Sequence, residues 1–160
     1  MKSLLRLHFL FILLFLGVKV FSQGNVIKQA SCADTLIAHQ VDSLKAQYAK
    51  DGFIVVKENY MAMESEYEMP VIVPLTQGTW YQFFFIGDIT SKLYEVRMYD
   101  WHEKEVVYQK KLWGSVDGNI INYSYIPQFS EYHMIKPLQV NKKKKKLCGF
   151  VMLMKKVKAP

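Results

Sequence analysis

The segment "YDWHEKE", residues 99–105, holds the densest set of reactive side chains in this sequence. Asp100, His102, Glu103 and Glu105 are carboxylates and an imidazole close enough for general acid–base work, if a fold converges them on one bond. A solvated turn contains the same residue types. No GxSxG nucleophile elbow and no glycine-rich phosphate loop accompanies them, so the sequence reads as non-enzymatic. Trp101 has a different use. An exposed indole at a strand connection stacks on sugar rings, with Asp100 and His102 beside it as hydrogen-bonding groups. Trp80, Trp113, Tyr123, Tyr125 and Tyr132 could extend that platform, or pack two sheets together, the commoner task of aromatic rings.

The two cysteines, Cys32 and Cys148, suggest a disulfide if the chain is exported. Such a bridge ties the start of a helix to a late strand; the alternative is two free thiols, with Cys148 a small core residue. Neither cysteine belongs to a CxxC motif, and His39, His102 and His133 stand alone, without HxH or HExxH spacing. No metal site and no cofactor are expected, with His39 on a helix surface and His133 at a strand edge. Glu64, Glu66 and Glu68 alternate in "MAMESEYEMP"; an extended chain would aim all three the same way, as a solvated strand face or as oxygen ligands for Ca²⁺.

The run Lys142, Lys143, Lys144, Lys145 and Lys146 could contact an anionic partner, or form the hydrated tip of a hairpin that guards a sheet edge. Charge arithmetic favours a local role. The first 22 residues read as a secretory signal: Lys2 and Arg6, an apolar run from Leu7 to Gly17, and small residues at Val20 and Ser22. That run is too short for a comfortable membrane span. Lys2, Arg6 and Lys19 would leave with it, so 18 basic side chains would face 14 acidic ones. The five lysines exceed that surplus of four. Arg97 is the one arginine beyond residue 22, whereas nucleic-acid proteins spread Arg and Lys over a face, so nucleic acid is not an expected partner. No lipobox cysteine follows the apolar run. The expected product is exported, periplasmic or at the cell surface, with no stable span after cleavage.

These residues need a scaffold. After a lead-in over 23–31, residues 32–52 predict one amphipathic helix, with Ile37, Val41, Leu44 and Tyr48 on a single stripe, Asp34 or Thr35 capping its start and Gly52 ending it. From residue 53 to 157 the texture changes to short runs rich in Val, Ile, Phe, Tyr and Trp, separated by turn formers. They predict a mainly β domain, an antiparallel β-sandwich or jelly roll of seven to eight strands, forming a single domain with the helix. Asp117-Gly118 reads as a two-residue hairpin turn. Pro137 suggests that its strand lies at an edge. The unbroken apolar run from Leu147 to Met154 predicts a strand buried on both faces.

The ending "FSQ" of the leader resembles those of exported proteins from Bacteroidetes-type bacteria. The segment "PVIVPLTQGTWYQFFFIGD…YEVRMYD" resembles the opening strands of small secreted β-sandwich proteins of that group, and is distantly similar to pre-peptidase C-terminal domains. The likeness spans about residues 53–157; the helix before them departs from the pre-peptidase pattern, and no functional residue is carried over. It implies an exported, non-enzymatic envelope module that binds another envelope protein or serves as an accessory subunit. The alternative is a carbohydrate-binding module using its exposed aromatics.

Overall fold

The computed structural model describes residues 31–112 and 118–157. The expected leader over 1–22, nearly all of the lead-in, Trp113, Asp117 and Lys158 lie outside them. Within them one helix, α1 (Thr35–Lys50), precedes eight strands: β1 (Phe53–Glu64), β2 (Val71–Leu75), β3 (Tyr81–Ile86), β4 (Leu93–Tyr99), β5 (Glu105–Leu112), β6 (Ile120–Tyr125), β7 (Glu131–Val140) and β8 (Lys146–Lys156). They form two four-stranded antiparallel sheets, ordered β1-β8-β3-β6 and β2-β7-β4-β5. This is the mainly β sandwich the sequence predicts, in its jelly-roll form: most connections cross from one sheet to the other.

Period-two alternation sends Val71, Val73 and Leu75 of β2, Tyr94, Val96 and Met98 of β4, and Phe83, Phe85, Val151 and Leu153 of β3 and β8 into one core between the sheets. The other faces of β3 and β8 carry Phe84, Ile86, Phe150, Met152 and Met154, and α1 covers these with Ile37, Val41, Leu44 and Tyr48. Both strands are therefore buried on both sides, which accounts for the absence of polar side chains between Leu147 and Met154. Asp34 caps α1 by accepting from the backbone N–H groups of Leu36 and Ile37 at 2.9 and 3.1 Å. Gly52, at φ +79°, turns the chain out of the helix into β1. Cys32 and Cys148 are bridged, with Cα atoms 5.7 Å apart, which fastens the start of α1 onto β8.

Several expectations are corrected. β7, which holds Pro137, is central rather than an edge strand. The Pro137 carbonyl accepts from Met69 N–H, so its missing N–H would face the β2 side, beyond the last β2–β7 pair at Val71 and Ile135. The ladder to β4 therefore loses nothing, and the one bond Pro137 cannot make is the reciprocal one to Met69, past the end of β2. β5 and β6 lie in different sheets, so they are not joined by the hairpin expected at Asp117-Gly118; Gly118 takes φ +57°, and Asp117 lies outside the described residues. The lysine run likewise joins β7 to β8 across the sandwich. His133 is not at a strand edge: it is 1% exposed, on the inner side of central β7. Glu64, Glu66 and Glu68 do not share a face, because the chain turns after β1, with Tyr67 N–H donating to Glu64 O and Glu66 at φ +74°.

Candidate functional site

The registers put the start of β1, β3, β5 and β7 and the finish of β2, β4, β6 and β8 at one end of the sandwich. Trp80, Trp101, Ile126, Phe129 and Tyr132 all emerge there, exposed. The lysine run and the β1–β2 turn occupy the opposite end. Antiparallel topology thus separates an aromatic end from a lysine end.

Trp101 sits at the tip of the β4–β5 hairpin. Glu103 N–H donates to Asp100 O and Asp100 N–H to Lys104 O, so the tip is a tight turn followed by Glu103 at φ +61°, where glycine is the usual occupant. The Asp100 carboxylate accepts from the backbone N–H groups of His102 and Lys104, both at 2.9 Å. It is spent on shaping its own loop. His102 and Glu103 are exposed, and none of Asp100, His102 and Glu103 lines a described cleft. Trp101 is 68% exposed and Tyr132 55%, with ring centroids 6.3 Å apart and planes inclined at 48°. This pair is what the structure brings together from the predicted platform. Tyr123 is buried in the core, where desolvation and the nearby Tyr125 push its phenol well above the ordinary range. Tyr125 leans on His133 with its hydroxyl 3.2 Å from Nε2, Trp80 packs edge-on against Phe53, and Trp113 lies outside the described residues.

Beyond the pair, the outer face of the β2-β7-β4-β5 sheet continues as an ordered array. Lys136 Nζ lies 5.0 Å from the Tyr99 ring and 3.4 Å from Glu68, and Arg97 lies 5.4 Å from the Tyr108 ring. Glu95 holds Lys110 at 3.1 Å and Arg97 at 3.6 Å. Cation–π and ionic contacts fix rings and polar groups on one surface. Beneath it, the inner-facing His133 carries an Nδ1 with no hydrogen-bond partner among the described residues, and Glu131 Oε1 is 3.7 Å from its Nε2.

The lysine end is divided in function. Lys144 Nζ donates to Asp88 Oδ2 at 2.6 Å, and Asp88 is 3% exposed. Burial acts to raise the Asp88 pKa, but hydrogen bonds from Lys144 and Thr90 outweigh it and hold the carboxyl below its ordinary value. Asp88 belongs to a buried polar knot: Gln139 Oε1 accepts from Asp88 N–H and Ser91 Oγ, and Tyr94 Oη donates to the Asp88 and Ser91 carbonyls. Sequence reasoning missed this knot; "GDITS" carries a local sign of it, an Asp two residues before a Thr whose N–H and hydroxyl both donate to that carboxylate. Lys142 and Lys145 instead line a cleft with Glu64, Ser65, Glu66, Tyr67 and Asn141. Among the described residues no group of three or more His, Cys, Asp or Glu could hold a metal ion.

No family model matches this chain, and no curated protein matches it. Among solved structures it is similar to one described as "CBM4 structure and function", at TM-score 0.42 and 16% identity over 70% of this chain and 83% of that one. It is also similar to the Gap123 glycosylation-associated protein complex of Streptococcus agalactiae, at TM-score 0.34 and 10% identity, covering 65% of this chain and 39% of that one. A third is Drosophila melanogaster CENP-C bound to CAL1, at TM-score 0.30 and 10% identity, covering 76% and 99%. Similarity at these scores bears on no ligand or partner.

Proposed function

We propose that this protein is a non-catalytic glycan-binding module of the cell envelope, exported before its disulfide forms. The observation that carries the reading is the exposed Trp101–Tyr132 pair at the rim of a sheet face rich in fixed rings and charges. Aromatic faces take the C–H surfaces of sugar rings, and the carboxylates, lysines and Arg97 beside them suit hydroxyl groups. The Cys32–Cys148 bridge supports an oxidising compartment. Among the described residues no helix is long and apolar enough to cross a membrane. Calorimetric titration against a panel of neutral and acidic oligosaccharides tests the reading. Trp101→Ala and Tyr132→Ala are each expected to weaken binding at least tenfold, equivalent to about 1.4 kcal/mol, while His39→Ala leaves it unchanged. Binding that survives both substitutions overturns it.

A protein partner in the envelope is the second reading, favoured by Trp80, Ile126 and Phe129, exposed apolar side chains at the same end. Mild crosslinking and affinity purification from the native envelope distinguishes it: one partner in near-equal amount, lost with Phe129→Asp, supports an assembly role. Recovery of the protein alone counts against it.

A further inference from the structure

We propose that the cleft at the lysine end is a second binding site, which takes a compact zwitterion: a carboxylate or phosphate joined, a few ångströms away, to a protonated amine. The cleft has a volume of about 320 Å³, large enough for such a group, and it is preformed. Ser65 N–H donates to Lys145 O, Glu66 N–H to Gln139 O, and Ser65 Oγ both donates to Asn141 O and accepts from Asn141 N–H. These bonds lock the β1–β2 turn to the β7–β8 connection.

The two walls differ in charge. The turn supplies Glu64 and Glu66, the connection supplies Lys142 and Lys145, and among the described residues none of the four is in an ion pair. Lys144, between the two lining lysines, is turned inward onto Asp88 and takes no part. A simple anion would gain from two lysines and lose against the two glutamates that line the same cleft, and a simple cation would meet the reverse. A ligand carrying both charges gains on both walls. Tyr67, two-thirds exposed at the mouth, adds a ring face for the amine. Glu66 occupies the third position of its turn at φ +74°, where glycine would be unstrained, so its side chain is kept at the cleft against a backbone preference.

The test is an NMR titration of the disulfide-bonded protein with β-alanine and with phosphoethanolamine, against acetate, inorganic phosphate and ethanolamine as single-charge probes. The expected result is a saturable shift of the Ser65–Tyr67 and Lys142–Lys145 amides with at least one zwitterion, and at least tenfold weaker binding of every single-charge probe. The better zwitterion identifies the anion. Lys142→Ala with Lys145→Ala is expected to weaken that binding tenfold or more. Glu66→Gly is expected to do the same with an unchanged or higher Tm, since it relieves the turn; a loss of binding then reports the carboxylate and not misfolding. Co-sedimentation with vesicles containing phosphatidylethanolamine assigns the source to a lipid headgroup, and binding of the soluble probes without sedimentation assigns a soluble one. Phosphate or acetate binding as tightly as the zwitterions, or no saturable shift at the cleft with any probe, overturns the proposal.

Discussion

Replacing Lys144 by alanine is expected to destabilise the fold, while Lys143→Ala, with the same change of charge, is not. Lys144 Nζ is 2.6 Å from Asp88 Oδ2, and Thr90 occupies Oδ1 through its N–H at 2.9 Å and its hydroxyl at 2.6 Å. Without Lys144, Oδ2 of a carboxylate that is 3% exposed loses both its donor and its counter-charge. A hydrogen bond to a charged group contributes about 1.5–3 kcal/mol. The Lys144 side chain is half exposed, so water replaces part of it, and the lower end, about 1.5 kcal/mol, is the expected loss. Urea denaturation at pH 7 reads it directly, with Lys143→Ala within about 0.5 kcal/mol of the parent. The pH dependence has a definite sign. The folded Asp88 pKa is depressed, so its contribution is present above the unfolded value near 3.8 and is lost as pH falls through the folded value. The Lys144→Ala penalty should shrink over that interval, and it should be absent at pH 7 in an Asp88→Asn background. Equal losses for Lys143→Ala and Lys144→Ala, or a Lys144→Ala loss independent of pH, would refute the reasoning.

Three further outcomes follow from buried features. Cys32 and Cys148 are 116 residues apart, and the chain-entropy treatment gives about 4–5 kcal/mol for closing such a loop; reduction should therefore lower Tm strongly, and an unchanged Tm would contradict it. Burial, then the charge of Asp88, raises the Tyr94 pKa to about 12, so the neutral phenol's contribution is whole below pH 10 and lost between 10 and 12. At about 1.36 kcal/mol per pKa unit that is roughly 2–3 kcal/mol, and tyrosinate absorbance should rise together with unfolding; stability that stays flat from pH 9 to 12 counts against it. A Cβ on Gly149 would stand 2.6 Å from Met63 Sδ and 3.2 Å from Phe85 Cε2. Gly149→Ala should therefore destabilise by about 1–2 kcal/mol in urea unfolding, the thioether yielding more easily than the ring.

The fold was legible where one residue period governs one surface. The stripe Ile37, Val41, Leu44 and Tyr48 names the buried side of α1, and the run Leu147–Met154 names a strand with two apolar neighbours, because burial on each face acts locally on each side chain. Sheet membership was not legible in the same way. Asp117-Gly118 carries a hairpin's local chemistry, yet β5 and β6 belong to different sheets, because which strand pairs with which is decided by the sum of the faces to be covered. Pro137 misleads for a related reason: an edge requirement applies to one N–H and not to a whole strand, and that N–H would point past the end of the short β2, where Met69 is joined to Pro137 by one bond in place of two.

The candidate sites are harder to read because each is assembled by topology from distant connections. Trp101 declares itself, since a turn too short to bury an indole leaves it exposed. Its companion Tyr132 is 31 positions later and is singled out only because β7 begins at the end where β4 finishes. The five lysines look equivalent in sequence and are not. Asn141 Oδ1 accepts from Lys143 N–H at 2.9 Å and Lys144 N–H at 3.2 Å, and this local turn aims the third lysine of the run at Asp88. The first and fourth remain to face Glu64 and Glu66 across the cleft. A homopolymeric run thus acquires separate tasks from one asparagine before it and one buried carboxylate opposite it. Permuting the run should consequently matter even at constant charge: Lys144→Gln should cost stability, and Lys142→Gln should cost only what the cleft binds.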